Sequence, residues 1–330
     1  MAETYSTLSA LFTDIADAIR EKTGDTATIV ADDFPDVIRE KLQAAPPPAY
    51  LTFRSPNSFT LKVNDTTKHW DGTLEYSTDA STWSTWDGTT TLSSATNGSD
   101  NVLYLRGTGN TVITGKNSNY KWVLTGSNIK CIGNIENLLD YATVESGAHP
   151  TMANYCYQTM FSGCTGLTQA PALPATTLAT NCYRSMFSGC TGLTQAPALP
   201  ATNLRSYCYR GMFYGCNSLT QAPALPATTL DTYCYESMFR GCTSLTQVPA
   251  LPATTLARKC YMWMFYGCSK IKLSQTKSVI FTVAYRIPTT GTGTTATDAL
   301  SSMFIYTGGN FTGTPEINTT YYLSNTNTIV

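Results

Sequence analysis

The first chemistry the chain offers is its cysteines: eleven in 330 residues, ten of them in pairs whose members stand eight positions apart. The pairs are Cys156/Cys164, Cys182/Cys190, Cys208/Cys216, Cys234/Cys242 and Cys260/Cys268, with Cys131 alone before them. Such thiols can ligate a metal, bridge as disulfides, or pack as small hydrophobes. The gap within each pair is wide for metal ligation and no histidine accompanies any pair. The count is odd, and the N-terminus carries no secretory signal, so reduced and buried thiols are the expectation. The two histidines, His69 and His149, have no nucleophile motif beside them. The "GTGTT" run at Gly291 reads as a turn, because no helix follows it. The sequence therefore predicts no enzyme, no cofactor and no metal.

The elements that position these cysteines are repeated. A unit of 26 residues, written "CYQTMFSGCTGLTQAPALPATTL" in its first copy, begins at Cys156, Cys182, Cys208, Cys234 and Cys260. A period of this length with Leu, Pro and Gly at fixed places predicts a solenoid. Cys156, Tyr157, Met160, Phe161 and Cys164 would share one inward face if "CYQTMFSGC" forms about two helical turns. Gly163 would end that segment in the left-handed region. Leu167 to Ala170 would form a brief strand. The missing N–H of Pro171 would keep the stacked parallel sheet, of five or six strands, narrow. A degenerate sixth copy, "ALSSMFIYTGGNFTGTPEI", places Met303, Phe304, Phe311, Pro315 and Ile317 where the first copy has Met160, Phe161, Leu167, Pro171 and Leu173, as a C-terminal cap.

Three regions follow. Residues 1–48 read as a helical attachment or oligomerisation segment with a proline linker. Leu8, Leu11, Ile15 and Ile19 form one apolar face and Phe34, Ile38 and Leu42 a second. Helices this short cannot bury enough surface alone, so they are expected to assemble, as a trimer for preference. Residues 49–128 alternate short Thr-, Tyr- and Trp-rich runs with turn signals and predict an antiparallel β-sandwich of Ig-like type. Trp83 and Trp86 read there either as core or as an exposed sugar-stacking pair. Residues 129–330 are the solenoid: an N-terminal cap over 129–155, five repeats over 156–274, and an insertion with the C-terminal cap over 275–330. The fold class expected is mainly β with short helices.

Charge excludes one partner class and hydropathy another. Lys and Arg number 21 against 22 Asp and Glu with no basic run, so nucleic acid is not expected. No stretch approaches the ~20 apolar residues of a membrane span, so no membrane insertion is expected. Positions that differ between copies are those the shared core leaves free. They give the binding candidates Arg205, Tyr207, Arg210, Tyr214, Tyr233, Glu236, Arg240, Arg258, Lys259, Trp263 and Tyr266, types that often anchor interfaces or stack on sugars. The "LTQAPALP" run, nearly invariant, promises a uniform groove.

The repeat "MFxGCTSLTxxPxLPATTL" resembles the BspA-type leucine-rich repeat, and its longer form is similar to repeats in tail and surface proteins of phages and prophages. "IADAIREKTGDTATIVADDFPDVIREKL" is similar to an N-terminal piece of phage tail-fibre and minor structural proteins. The resemblance implies a virion component, assembled in the host cytoplasm. Its N-terminus would join other virion proteins, and its solenoid would meet a glycan or protein of the host surface. A head, neck or tail decoration without receptor binding and a bacterial BspA-like adhesin are the alternatives.

Overall fold

A computed structural model describes residues 50–330 apart from 66 and 118. The helical segment expected over 1–48, with its attachment candidates, lies outside the described residues. Residues 49–330 form one compact unit. It is mainly β, with one short helix among the described residues.

The first part carries β1 (Leu51–Ser55), β2 (Thr60–Val63), β3 (Thr73–Ser77), β4 (Ser84–Trp86), β5 (Leu92–Ser93), β6 (Ala95–Asn97), β7 (Asp100–Thr108), β8 (Trp122–Thr125), β9 (Ile129–Ile132) and α1 (Asn137–Glu145). Alternation decides the buried face: in β1, Leu51, Phe53 and Ser55 are buried while Arg54 is exposed. Antiparallel pairing orders one sheet as β9-β1-β7-β3-β4, with β6 also on β7, and a second as β5-β2-β8. Trp86 of the first sheet and Trp122 of the second meet edge to face at 5.5 Å. Trp86 is thus core, and the exposed Trp83/Trp86 pair does not form; Trp83, half-buried, lies 4.1 Å from the Arg106 guanidinium. Helix α1 sits directly on β7 at Gly107, where a Cβ would come 1.8 Å from the Leu138 carbonyl oxygen. Asn110, buried beside it, accepts from Gly72 N–H and donates to the Thr73 and Leu138 carbonyls, tying β3 to α1.

The second part comprises the repeats with β10 (Leu167–Gln169), β11 (Gln247–Val248) and β12 (Thr255–Leu256), then β13 (Lys272–Ser274), β14 (Phe281–Arg286), β15 (Thr294–Thr295), β16 (Gly308–Gly309), β17 (Thr320–Ser324) and β18 (Thr328–Ile329). Each copy makes one coil with two legs. In the first leg, residues 155–164 in the first coil, no α-helix forms. Instead the backbone turns left-handed at every fourth residue: Tyr155 (φ 65°), Thr159 (φ 57°) and Gly163 (φ 81°). The even-numbered N–H groups close tight turns three residues back, as from Met160 to the Tyr157 carbonyl at 3.2 Å. The odd-numbered ones point along the stack. Tyr155, Tyr157, Thr159, Phe161 and Gly163 donate to the carbonyls of Thr180, Cys182, Arg184, Met186 and Ser188 in the next coil at 2.7–2.9 Å. The same pattern recurs through to the sixth copy, where Phe265 donates to Met303 at 3.0 Å.

A four-residue turn repeat buries i, i+1, i+4, i+5 and i+8, as two helical turns would. Cys156, Tyr157, Met160, Phe161 and Cys164 are accordingly buried, with their counterparts in every full copy. Two aromatic columns run through the stack. Tyr157, Tyr183, Tyr209, Tyr235 and Tyr261 stack at 5.5–5.8 Å, and Phe161, Phe187, Phe213, Phe239, Phe265 and Phe304 at 5.4–5.7 Å. Phe53 and Trp122 close the phenylalanine column at one end, and Tyr285 closes it at the other. Burying each ring contributes ~1.5–3 kcal/mol.

The second leg, residues 167–174 in the first coil, departs from the expected sheet. β10 pairs parallel with β9 and β11 with β18, but most contacts between coils are isolated bridges: Gln195 to Gln221, Gln221 to Gln247, and Thr177 through Asn203 and Thr229 to Thr255. Two prolines in each of the first four legs, Pro171 and Pro174 in the first, lack the donors a continuous ladder needs. Beyond Gln247 the fifth coil diverges, and Thr328 of β18 takes the place beside Gln247. Leu273 joins β16 and β17 instead. Asn327, buried, fixes this exchange. It donates to the Thr246 and Lys270 carbonyls and accepts from Lys272 N–H, all at 3.0 Å.

Candidate functional site

The thiols come first, since their spacing suggested chemistry. All eleven are free and buried. The later member of each pair, from Cys190 on, donates to the phenylalanine carbonyl of the preceding coil: Cys190 to Phe161, Cys216 to Phe187, Cys242 to Phe213 and Cys268 to Phe239, at 3.0–3.1 Å. Burial raises their pKa values, to about 11 for Cys164 and about 12 for Cys260 and Cys268. A thiol so held is not a thiolate near neutral pH and is a poor nucleophile. Among the described residues no group of three or more His, Cys, Asp or Glu is placed to hold a metal. The histidines sit apart, each with one carboxylate: His69 with Asp65 at 2.8 Å and His149 with buried Glu136 at 2.7 Å.

The outward side of the turn leg differs from coil to coil. Because copies are 26 residues apart, variable positions fall into columns: Tyr207, Tyr233 and Lys259; Arg184, Arg210 and Glu236; Gly211, Ser237 and Trp263; Tyr214, Arg240 and Tyr266. Columns one and three are left-handed positions, with φ between 55° and 61° at Tyr207, Tyr233, Lys259 and Trp263. An L-residue there costs ~1–2 kcal/mol over glycine, and these bulky types persist despite it. The glycine column beside them, Gly163 to Gly267, reaches φ 70–81°, beyond the well that side chains occupy.

The structure brings ten of the eleven candidates into two touching groups. In one, the Arg240 guanidinium lies 4.4 Å from the Tyr266 ring centre, 5.3 Å from Trp263 and 5.7 Å from Tyr214, so three rings surround it. In the other, Tyr207 and Tyr233 stack at 4.7 Å with Arg210 at 5.8 and 5.9 Å from their centres. Arg258 and Lys259 lie over the same Tyr233. These contacts are within the range of cation–π attraction. Arg210 also forms an ion pair with buried Glu236. Arg205 is exposed and makes no ion pair or ring contact with either group among the described residues.

A pocket of about 260 Å³ joins the two groups, lined by Arg210, Glu236, Arg240, Tyr214 and Trp263 and by Arg184, Ser185, Ser188 and Ser237. Arg184 was not among the sequence candidates. The signal for it was its place one copy below Arg210 and two below Glu236, in a column whose charge does not balance. A larger groove of about 780 Å³ follows the proline legs of the first two coils, lined by Gln169, Gln195 and the alanines and prolines around them. It covers two of the "LTQAPALP" runs, and a separate pocket lies along the next, so the groove is not uniform over the coils. Its lining carries one cation, Lys130.

Compared with protein-family models, curated proteins and solved structures, the chain gives no match. The reading of the site rests on its own residues. Among the described residues no helix is long and apolar enough to cross a membrane.

Proposed function

We propose that the protein is a non-enzymatic virion fibre protein that binds a host-surface glycan or protein through the turn legs of its later coils. In this reading the region 49–128 is an Ig-like sandwich that spaces the binding region. The repeats form a leucine-rich solenoid, and the segment 1–48 joins other virion proteins, as one of several copies. The single observation that supports it is the Tyr214–Arg240–Trp263–Tyr266 group. It assembles interface-prone side chains from adjacent coils on a partly exposed face, over a backbone whose core is the same in coils that lack them. Labelled protein applied to a panel of bacterial cells and their extracted surface polysaccharides tests it. The full chain should bind at least one, and Tyr214→Ala, Arg240→Ala and Trp263→Ala combined should abolish binding while the melting temperature stays within a few degrees. Unchanged binding by the triple variant, or no binding to any member, would remove this reading.

A further inference from the structure

We propose that the pocket between Arg184, Arg210 and Arg240 takes the carboxylate of an acidic sugar, a uronic- or sialic-type ring at the end of a surface glycan. The inference rests on the binding reading above and narrows it to a ligand class. Three arginines and one glutamate line the pocket, a surplus of two positive charges. Glu236 is already committed, since it is buried against Arg210. Arg184 is half-buried, and its guanidinium donates to no acceptor among the described residues. Its pKa is lowered, first by burial and then by the charge of Arg210. Glu236 acts on Arg184 too, but it is paired with Arg210, so the two cations share one anion and a further one stabilises them. Among the described residues Arg240 likewise has no ion pair; its guanidinium lies 4.4–5.7 Å from three ring centres.

The rest of the pocket suits a sugar better than a bare anion. The Ser185, Ser188 and Ser237 hydroxyls can donate to and accept from ring hydroxyls, and Tyr214 and Trp263 offer apolar faces at the rim. The volume, about 260 Å³, lies below the ~300 Å³ at which drug-sized pockets begin, and so admits one ring. A carboxylate is favoured among anions because the guanidinium fork matches its two oxygens.

The test titrates the full chain with methyl glycosides of glucuronic, galacturonic and N-acetylneuraminic acid, each against its carboxyl-reduced neutral counterpart. At least one acid should bind about ten-fold more tightly than its counterpart, with an affinity that falls as salt rises. Arg184→Gln should remove that preference, and Lys277→Gln, on the exposed insertion, should keep it. No binding by any acid, equal affinity for an acid and its counterpart, or a preference that survives Arg184→Gln overturns the inference. Cell binding is measured in parallel. Cells held through Tyr214, Arg240 and Trp263 but not released by acidic sugars would defeat the inference and leave the broader reading intact. Acid binding without cell binding would do the reverse.

Discussion

On the turn leg five backbone hydrogen bonds cross each junction between full coils, whereas on the proline leg the number varies, with four between the second and third coils and three between the third and fourth, all at 3.0–3.3 Å. The leg with the stronger backbone is also the one whose outward side chains vary most. On the turn leg the backbone and the two inward ring columns hold the stack, so the outward columns are free to change from Ser188 to Tyr214, Arg240 and Tyr266. On the proline leg the backbone bonds are fewer and less regular, and packing of Leu, Ala and Pro makes up more of the junction. The sequence there repeats almost unchanged. Variation is therefore found where the main chain is the more regular glue.

The largest effect should come from alkali. Burial raises the pKa of every thiol in the turn legs and of the five stacked tyrosines. A folded-state pKa above the unfolded one stabilises the protein below the unfolded value, ~8.5 for cysteine, and that stability is lost as pH rises through the folded value. The coils should unfold cooperatively between pH ~9 and about 12, the value reached by Cys260 and Cys268. Circular dichroism and a thiol reagent would follow it together. At pH 8 the native protein should leave its cysteines unlabelled over minutes, and after denaturation all eleven should react. Prompt native labelling would show that the columns are open.

Next comes a matched pair of substitutions, one in each leg of the third coil. Phe213→Ala removes a ring stacked at 5.7 Å on both Phe187 and Phe239 and should cost ~3–5 kcal/mol. Pro226→Ala, at an exposed proline-leg position, should change stability by no more than ~1 kcal/mol. Chemical denaturation measures both, and equal losses would erase the distinction between the legs. Asn327→Ala tests the point where the weaker leg has a buried polar tie. It would strand the Thr246 and Lys270 carbonyls and the Lys272 N–H, for a loss of ~2–4 kcal/mol.

The repeat made most of the inward set legible. Cys156, Tyr157, Met160, Phe161 and Cys164 follow a pattern that a helix and a four-residue turn share over so short a run. That degeneracy is why the turns were not legible: Thr159 and Ser185 stand at left-handed positions that usually announce themselves as Gly or Asn. The continuous parallel sheet does not form because two prolines act in each of the first four legs, as at Pro171 and Pro174. The departure of Leu273 to other strands depends on β18, more than fifty residues away, and no local signal encodes it. Ten binding candidates converge because a fixed period turns sequence distance into column position. Arg184 was not legible because it stands in the second coil, before the later coils where change between copies is densest.

The smallest expected stability change is the one that bears most on why these side chains are present. Tyr207 holds φ 61° and stacks on Tyr233 at 4.7 Å. Tyr207→Gly relieves ~1–2 kcal/mol of backbone strain and forfeits ~0.5–1.5 kcal/mol of ring contact. Glycine's greater freedom in the unfolded chain takes back ~0.5–1 kcal/mol, so the net should be close to zero. Gly211 shows that a neighbouring left-handed column accepts glycine within the same coil. If the folded state is indifferent to a tyrosine at this place, its presence is explained by what it meets outside, and cell binding should weaken while the unfolding midpoint stays still. A large loss of stability would instead make Tyr207 part of the stack, and the outward columns would then belong to the architecture of the turn leg rather than to its freedom.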